Sequence, residues 1–329
     1  MKTRNRFLYT FYALFAITLF TGCQEDYNDI EPTIAGIAVA NGSFNLLEAA
    51  AIRGGVAVVL SNENPNDPNG SYTVFAPTDE AFAKLGLNRA EDLAVLQVPF
   101  LTSTLLYHVS NGDLLSSSIR AGLSSPSLLG PNRRFIERGN DLYINGSKIL
   151  ATNVNAANGT VHVIDKVMLA TGVDIVQSAI ALSNANVFIV PELSFLVEAV
   201  LYAELAGALT QSPGSPSFTV FAPTDQAFRE LGQLLGVPLE QPADIRKLPK
   251  ETVTAVLLNH VIADGGRFTP ELGSGPTDPL GGVSLNLGAF VDGALTIRGN
   301  GNMMPANIVI PDVQTTNGVV HVIDRVLLP

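Results

Sequence analysis

The chain has 329 residues with a formal net charge of −11, no tryptophan and one cysteine. An acidic balance of this size repels nucleic acid and anionic membrane surface, and no basic patch with interleaved aromatics counters it. A single cysteine excludes an internal disulfide. The length suits two domains of about 150 residues, each able to bury its own core.

In chain order, Lys2, Arg4 and Arg6 precede an almost wholly apolar run, 7–20, which ends in Thr21-Gly22-Cys23. A basic start, a short apolar stretch and small residues before a cut describe a secretory signal over 1–22, too short for a stable membrane span. The segment resembles a bacterial lipobox, with Phe20 where leucine is usual. That resemblance implies cleavage before Cys23 and lipidation of Cys23; the other reading is a spare cysteine in an uncleaved anchor. Removing 1–22 takes away three basic groups and no acidic ones, so −11 becomes −14.

Gln24 to Asp29 is polar and acidic, and 23–33 reads as a flexible tether. It is similar to the export signal that places Bacteroidetes-type lipoproteins on the outer face; a solvated spacer is the alternative. The expected location is therefore lipid-anchored in the bacterial outer membrane facing outside, with the periplasmic face as the alternative.

Beyond the tether the chain repeats itself. Thr73-Val-Phe-Ala-Pro-Thr-Asp79 returns as Thr219-Val-Phe-Ala-Pro-Thr-Asp225, and Asn158-Gly-Thr-Val-His-Val-Ile-Asp165 returns as Asn317-Gly-Val-Val-His-Val-Ile-Asp324. Two shared phrases in one order mean one module used twice, here over 34–170 and 171–329.

Each copy opens with helix-rich sequence: residues 44–51 with the apolar 56–60 in copy one, and 195–209 in copy two. The loop at 61–71 is rich in Asn, Asp and Pro but lacks the order of a calcium-binding loop. Thr73 to Ala76 reads as a strand closed by a proline. Thr78 then caps a helix with Asp79 and Glu80 in its first turn, Ala81, Phe82 and Leu85 as its apolar stripe and Gly86 as its end. Copy two gives Thr224, Asp225, Ala227, Phe228, Leu231 and Gly232. This phrase is a structural corner between sheet and helix, or else Asp79 and Asp225 face a ligand.

The later part of each copy reads as short strands: 141–144, 149–150 and 160–169, then 294–297, 307–310 and 319–328. Asn-Gly pairs at 145–146 and 158–159 turn the chain in copy one. Helices first and strands after make each module α+β. Spacing between shared residues gives copy two insertions of six and seven residues. The expected places are 232–249 and 265–282, both rich in Gly and Pro. The joint at 170–172 is so short that a packed pair is expected.

All four histidines, His108, His162, His260 and His321, occupy matching repeat positions. Strand period puts His162 and Asp165 on opposite faces, and no second histidine lies close enough to share a metal. They read as hydrogen-bonding fixtures between helix and sheet, with Asp79–His108 and Asp225–His260 as candidate pairs holding the corner. No serine elbow appears. No metal, cofactor or catalytic group is expected.

These phrases resemble the two signatures of the fasciclin domain family. Leu105-Leu106-Tyr107-His108-Val109 is similar to the family's Tyr-His region, whereas Leu257-Leu258-Asn259-His260-Val261 keeps only the histidine. The resemblance implies two tandem fasciclin-like domains, each a small sheet wedge or sandwich with several packed helices, acting in adhesion without catalysis. It marks Tyr107 and His108, and less closely Asn259 and His260, as candidate binding residues. Thr78, Asp79, His162, Asp165, Thr224, Asp225, His321 and Asp324 are its structural positions. The implied partner is a protein or polysaccharide at the cell surface, with an envelope assembly role as the alternative. A chain with no tryptophan and seven tyrosines is poorly stocked for an aromatic glycan groove. Oligomeric state is left open.

Overall fold

A computed structural model describes residues 31–184, 193–210 and 217–329. The signal segment, Cys23 and most of the acidic tether lie outside the described residues. Residues 31–329 form one compact unit, and none of its described helices is long and apolar enough to cross a membrane.

In the first module the helices α1 (Ile34–Ala40), α2 (Asn45–Arg53) and α3 (Ala57–Leu60) lead into strand β1 (Tyr72–Pro77), the corner helix α4 (Asp79–Ala83) and α5 (Val98–Tyr107). Strands β2 (Val109–Asn111), β3 (Ser124–Pro126), β4 (Asn132–Arg138), β5 (Asp141–Ile144), β6 (Ser147–Ala156), β7 (Gly159–Ile164) and β8 (Leu169–Ala170) follow. The second module repeats the plan: α6 (Ile175–Asn184), α7 (Ser194–Tyr202), α8 (Ala206–Leu209), β9 (Phe218–Pro223), α9 (Asp225–Leu235) and α10 (Lys250–Leu258). Its strands are β10 (Val261–Ile262), β11 (Gly275–Thr277), β12 (Leu285–Leu287), β13 (Thr296–Arg298), β14 (Ala306–Gln314) and β15 (Gly318–Ile323). Each module is α+β, as expected.

The sheet of the first module runs β2-β1-β7-β6-β5-β4-β3, and that of the second β10-β9-β15-β14-β13-β12-β11. The two repeated phrases lie side by side as the parallel pair in each sheet: Phe75 opposite His162 and Pro77 opposite Ile164, Phe221 opposite His321 and Pro223 opposite Ile323. Both phrase strands are buried along most or all of their length, which suits their β-branched and aromatic content. The strand includes the proline instead of stopping before it.

Three sequence expectations are corrected. In copy one the corner helix stops at Ala83, before Leu85. In copy two it runs past Gly232 to Leu235 and closes on Gly236, which takes the left-handed conformation at φ 66°; one glycine can be carried inside a helix when a better stop follows. The six-residue insertion is this helical extension and the loop after it. Its end is fixed by equivalent bonds: Asp92 accepts from the backbone of Asn88 and Arg89, and Asp244 from that of Glu240 and Gln241.

The second insertion is not in 265–282. Leu128 donates to Val109 O as Leu280 donates to Val261 O, at the same separation from the shared histidine. The added residues lie further on. Ile144 pairs with Ser147 across Asn145-Gly146, whereas Ile297 pairs with Ala306 across 298–305. A tight hairpin in copy one is thus a long loop in copy two. Gly and Pro content drew attention to 265–282, but that stretch only rearranges its turns.

The modules are packed together, as the short joint suggests. Strand β8 of the first pairs in parallel with β14 of the second. Ile136 and Tyr143 form a buried cluster with Phe268 and Val319. Arg134 bonds Gly266 O at 2.9 Å and Glu271 at 2.5 Å, and Arg138 bonds Pro270 O and Leu272 O. Deep in the junction Lys166 Nζ stands 3.2 Å from Asp312 Oδ2, both side chains about 9% exposed. The same carboxylate accepts from Thr269 N–H at 2.6 Å and Thr269 Oγ1 at 2.7 Å. A Cβ on Gly146 would fall 1.7 Å from Asp312 Oδ2, so any other residue there displaces this carboxylate from its partners.

Candidate functional site

The corner begins with Thr78, whose Oγ1 accepts from Ala81 N–H at 3.3 Å; Thr224 accepts from Ala227 N–H at 3.1 Å. These are ordinary helix caps. Asp79 and Asp225 do more than occupy the first turn. Asp79 accepts from Leu46 N–H at 2.8 Å and from Asn45 Nδ2 at 2.9 Å. Asp225 accepts from Phe195 N–H at 2.9 Å and Ser194 Oγ at 2.6 Å. Helices α2 and α7 start at Phe44 and Leu193, which have no capping side chain. The aspartate of one element therefore caps the start of another, where its charge suits the helix dipole. The carboxylates face the chain's own backbone instead of a ligand.

The expected pairing of these aspartates with histidines does not occur. His108 Nδ1 lies 2.7 Å from Thr104 O, and its Nε2 accepts from Met168 N–H at 2.9 Å. His260 does the same with Val256 O at 2.7 Å and Leu327 N–H at 2.8 Å. A ring nitrogen facing an N–H must be the unprotonated one, so both are neutral with the proton on Nδ1. His162 and His321 are the reverse. Nδ1 accepts from Asn153 N–H and Asp312 N–H, and Nε2 donates to Leu114 O and Arg267 O. Each is stacked on the phenylalanine opposite it, at 5.2 Å from Phe75 and 5.6 Å from Phe221. Burial pushes all four below the ordinary histidine value, His108 and His260 to about 4.

Asp165 accepts from Lys148 N–H at 2.7 Å and pairs with Lys84 at 3.1 Å; Asp324 accepts from the backbone and side chain of Asn307, both at 2.7 Å. Among the described residues no group of three His, Cys, Asp or Glu is placed to hold a metal.

The candidate binding residues are correspondingly buried. Tyr107 and Asn259 are fully buried, and His108 and His260 are 2% exposed. None of the four side chains reaches the surface of the folded chain. Tyr107 instead joins the modules. Its hydroxyl donates to Gln314 Oε1 and accepts from Asn145 Nδ2 at 2.6 Å, and Gln314 Nε2 donates to Asn132 O at 3.0 Å. Burial raises the phenol above its ordinary value and keeps it a donor.

Asn259 occupies the position of Tyr107 without its partners: both polar atoms of its side chain are buried and unbonded among the described residues. Removing an unpaired buried amide relieves a desolvation cost of about 1–3 kcal/mol. Asn259→Leu, similar in volume, is expected to raise the urea midpoint by an amount equivalent to about 1–2 kcal/mol.

Two further positions escaped the sequence reading. Asn158 looks like a turn residue, but its Oδ1 accepts from Ile34 N–H at 2.8 Å, and its Nδ2 donates to Leu60 O at 2.9 Å and Asn62 O at 2.7 Å. Asn317 ties Ile175 and Leu209 likewise. Gly159 beside it sits at φ 141° with Tyr72 backbone where a side chain would go. Asn158→Ala strands two buried backbone groups, Ile34 N–H and Leu60 O, and a half-buried one, Asn62 O, and chemical denaturation is expected to register a loss of about 2–4 kcal/mol.

The other is Arg133, fully buried and, among the described residues, influenced by no carboxylate. It donates to Tyr107 O at 2.8 Å, to Ser125 Oγ and Pro126 O at 3.0 Å, and to Ser110 Oγ. Its guanidinium lies 4.9 Å from the centre of the Phe75 ring. Burial lowers it to about 10, so it stays charged at neutral pH. Tyr107 ends α5, and the helix's negative end supplies what a counter-ion would. Only a strand-like Asn-Arg-Arg-Phe was visible in the sequence, and nothing there separates Arg133 from Arg134.

Comparison with known proteins agrees with this geometry. The fasciclin domain family model matches residues 44–170 and 191–329. Transforming growth factor-beta-induced protein ig-h3 of Sus scrofa is 28% identical over 264 residues, and periostin of Homo sapiens 29% over 262; each alignment covers 79% of this chain. The chain spans only 35% and 28% of those two relatives. A solved FAS1 domain pair from the insect cell adhesion molecule Fasciclin I is 20% identical, covers 88% of this chain and 98% of its own, and has a TM-score of 0.38. With both copies of the module matched, the chain belongs to the fasciclin domain family.

Proposed function

We propose that this chain is a non-enzymatic adhesion or binding protein of the bacterial cell surface, held by a lipid on Cys23 and exposed outside the outer membrane. The observation that carries the reading is that the shared motif residues are bonded to the chain's own groups. Thr78, Asp79, His108, His162 and Asp165 all have partners inside the module, and so do their counterparts in copy two. Side chains so engaged build a rigid scaffold and are poorly placed for catalysis. Contact then falls to surface loops, the usual place for recognition on a rigid frame. A role in assembling the envelope through another protein is the second reading; an exposed apolar groove on the second module favours it.

The test places membrane vesicles carrying the full chain on immobilised glycans and matrix proteins. Saturable retention is expected, and transfer of the Cys23→Ser variant to the soluble fraction. Absence of binding to every surface would contradict adhesion. A Cys23→Ser chain that stays in the membrane would contradict the lipid anchor.

A further inference from the structure

Each module carries the edge by which the first is joined to the second, but on the second module that edge is closed. In copy one, Leu169 and Ala170 pair with Val313 and Gln314 of the second module. Thr171 N–H continues the ladder onto Gln314 O at 3.0 Å. Leu328 is the residue of copy two that matches Leu169. The residues just before them make the same bond, Met168 N–H to His108 and Leu327 N–H to His260. In an extended strand the N–H and C=O of one residue leave on the same side. Leu328 therefore has a donor and an acceptor for the same kind of ladder, and both are spent inside its own module. Leu328 N–H donates to Asn302 Oδ1 at 2.8 Å, and Leu328 O accepts from Gly301 N–H at 3.1 Å.

These partners belong to the inserted loop 298–305. Asn302 is itself held, its Nδ2 donating to Val326 O at 2.9 Å and its N–H to Gly299 O at 3.1 Å. The loop backbone runs so close to the edge that a Cβ on Gly299 would overlap Leu328 O, and one on Gly301 would fall 2.9 Å from Pro329 O. Glycine permits that approach. Copy one has only the hairpin Asn145-Gly146 at this place, and the second module sits against it. Asn145 Nδ2 donates to Gln314 Oε1 at 3.1 Å, and Gly146 lies against Asp312. On copy two the loop thus stands where the second module stands on copy one.

The receiving face is also repeated. Val154 and Asn155 match Val313 and Gln314 in the repeat. Strand β7 borders them on one side. Strand β5 covers β6 only at Ser147 and Lys148, so among the described residues no strand lies along their other edge. Ser116 N–H donates to Asn153 Oδ1 at 2.9 Å as Thr269 N–H does to Asp312 Oδ1 at 2.6 Å. Asn153 and Asp312 share the left-handed backbone, at φ 57° and 65°. A joining edge on one module and a receiving face on the other would add copies head to tail, an arrangement that does not close on itself. Natural sheets cover such edges. We propose that loop 298–305 is a cap, closing the Leu328 edge so that a second copy of this chain cannot add to it through β6.

Hydrogen exchange of the full chain reads the cap directly. The Leu328 amide is expected to exchange about a hundredfold or more slowly than an unprotected one. Asn302→Ala, which keeps the loop's length, should abolish that slowing and leave the amides of β15 protected. A Leu328 amide that exchanges freely in the unaltered chain overturns the proposal, whatever the variants do. Sedimentation velocity reads the consequence. The unaltered chain is expected to show no association through this edge. Replacing 298–305 by Asn-Gly, the hairpin of copy one, should give a mass that rises with concentration. Arg325 follows Asp324 as Lys166 follows Asp165, so Asn153→Asp should strengthen that association by supplying the carboxylate that Lys166 finds in Asp312. Asn155→Lys, an exposed charge on the receiving edge, should return the shortened variant to a single species. A shortened variant that is folded by circular dichroism yet stays a single species overturns the proposal. So does association of the unaltered chain that Asn155→Lys abolishes.

Discussion

Acidification from pH 7.5 to pH 5 is expected to destabilise the folded chain by roughly 4 kcal/mol through two histidines alone. His108 and His260 have folded values of about 4, depressed by burial from the ordinary 6.5. Above pH 6.5 both states are neutral and the folded state keeps its full stability. Between 6.5 and about 4 the unfolded chain takes up protons that the folded chain refuses, so stability falls as pH falls. At pH 5 each contributes a loss of about 2 kcal/mol, since one pH unit is worth about 1.4 kcal/mol per proton. His162 and His321 are shifted in the same direction and add to it. Urea unfolding followed across this range checks it; a flat stability profile from pH 7.5 to 5 would contradict buried, neutral imidazoles.

Lys166→Met is expected to cost about 3–5 kcal/mol, because it leaves a buried carboxylate without its cation. Burial opposes ionisation of Asp312, yet Lys166 and the Thr269 bonds more than offset it and hold the group below its usual range. The pair bridges the two modules, so the loss is expected to split a single unfolding transition into two. Adding Asp312→Asn should recover most of it. Asparagine tolerates the left-handed backbone at φ 65° and still accepts from Thr269 N–H. Asp312→Asn failing to rescue Lys166→Met would show that the ion pair is not what holds the junction.

Much of the fold was legible because the chain states it twice. The repeated phrases showed two strands, the capped corner and the order of helices before strands; that the two strands lie side by side in parallel was not legible. Their partners were not legible. Asp79 caps α2 from 33 positions away, and Tyr107 meets Gln314 from 207 positions away; no local pattern encodes either contact. The Tyr-His pair was a candidate binding site only through the family resemblance; its polar atoms are satisfied inside the chain. The second insertion was misplaced because Gly and Pro mark turns without marking which turn has grown. Its apolar Met303-Met304 pair was the better signal, being an unusual thing to place in a loop.

The histidines shared by the two copies belong to the scaffold. Nitrogen-15 NMR of the imidazoles tests this directly. Four neutral rings are expected at neutral pH, His108 and His260 protonated on Nδ1 and His162 and His321 on Nε2, with His108 and His260 not titrating between pH 8 and 5.5 and His162 and His321 displaced below the ordinary value. A ring that titrates near pH 6.5, or that shows the opposite tautomer, would contradict it and return that histidine to the search for a functional site.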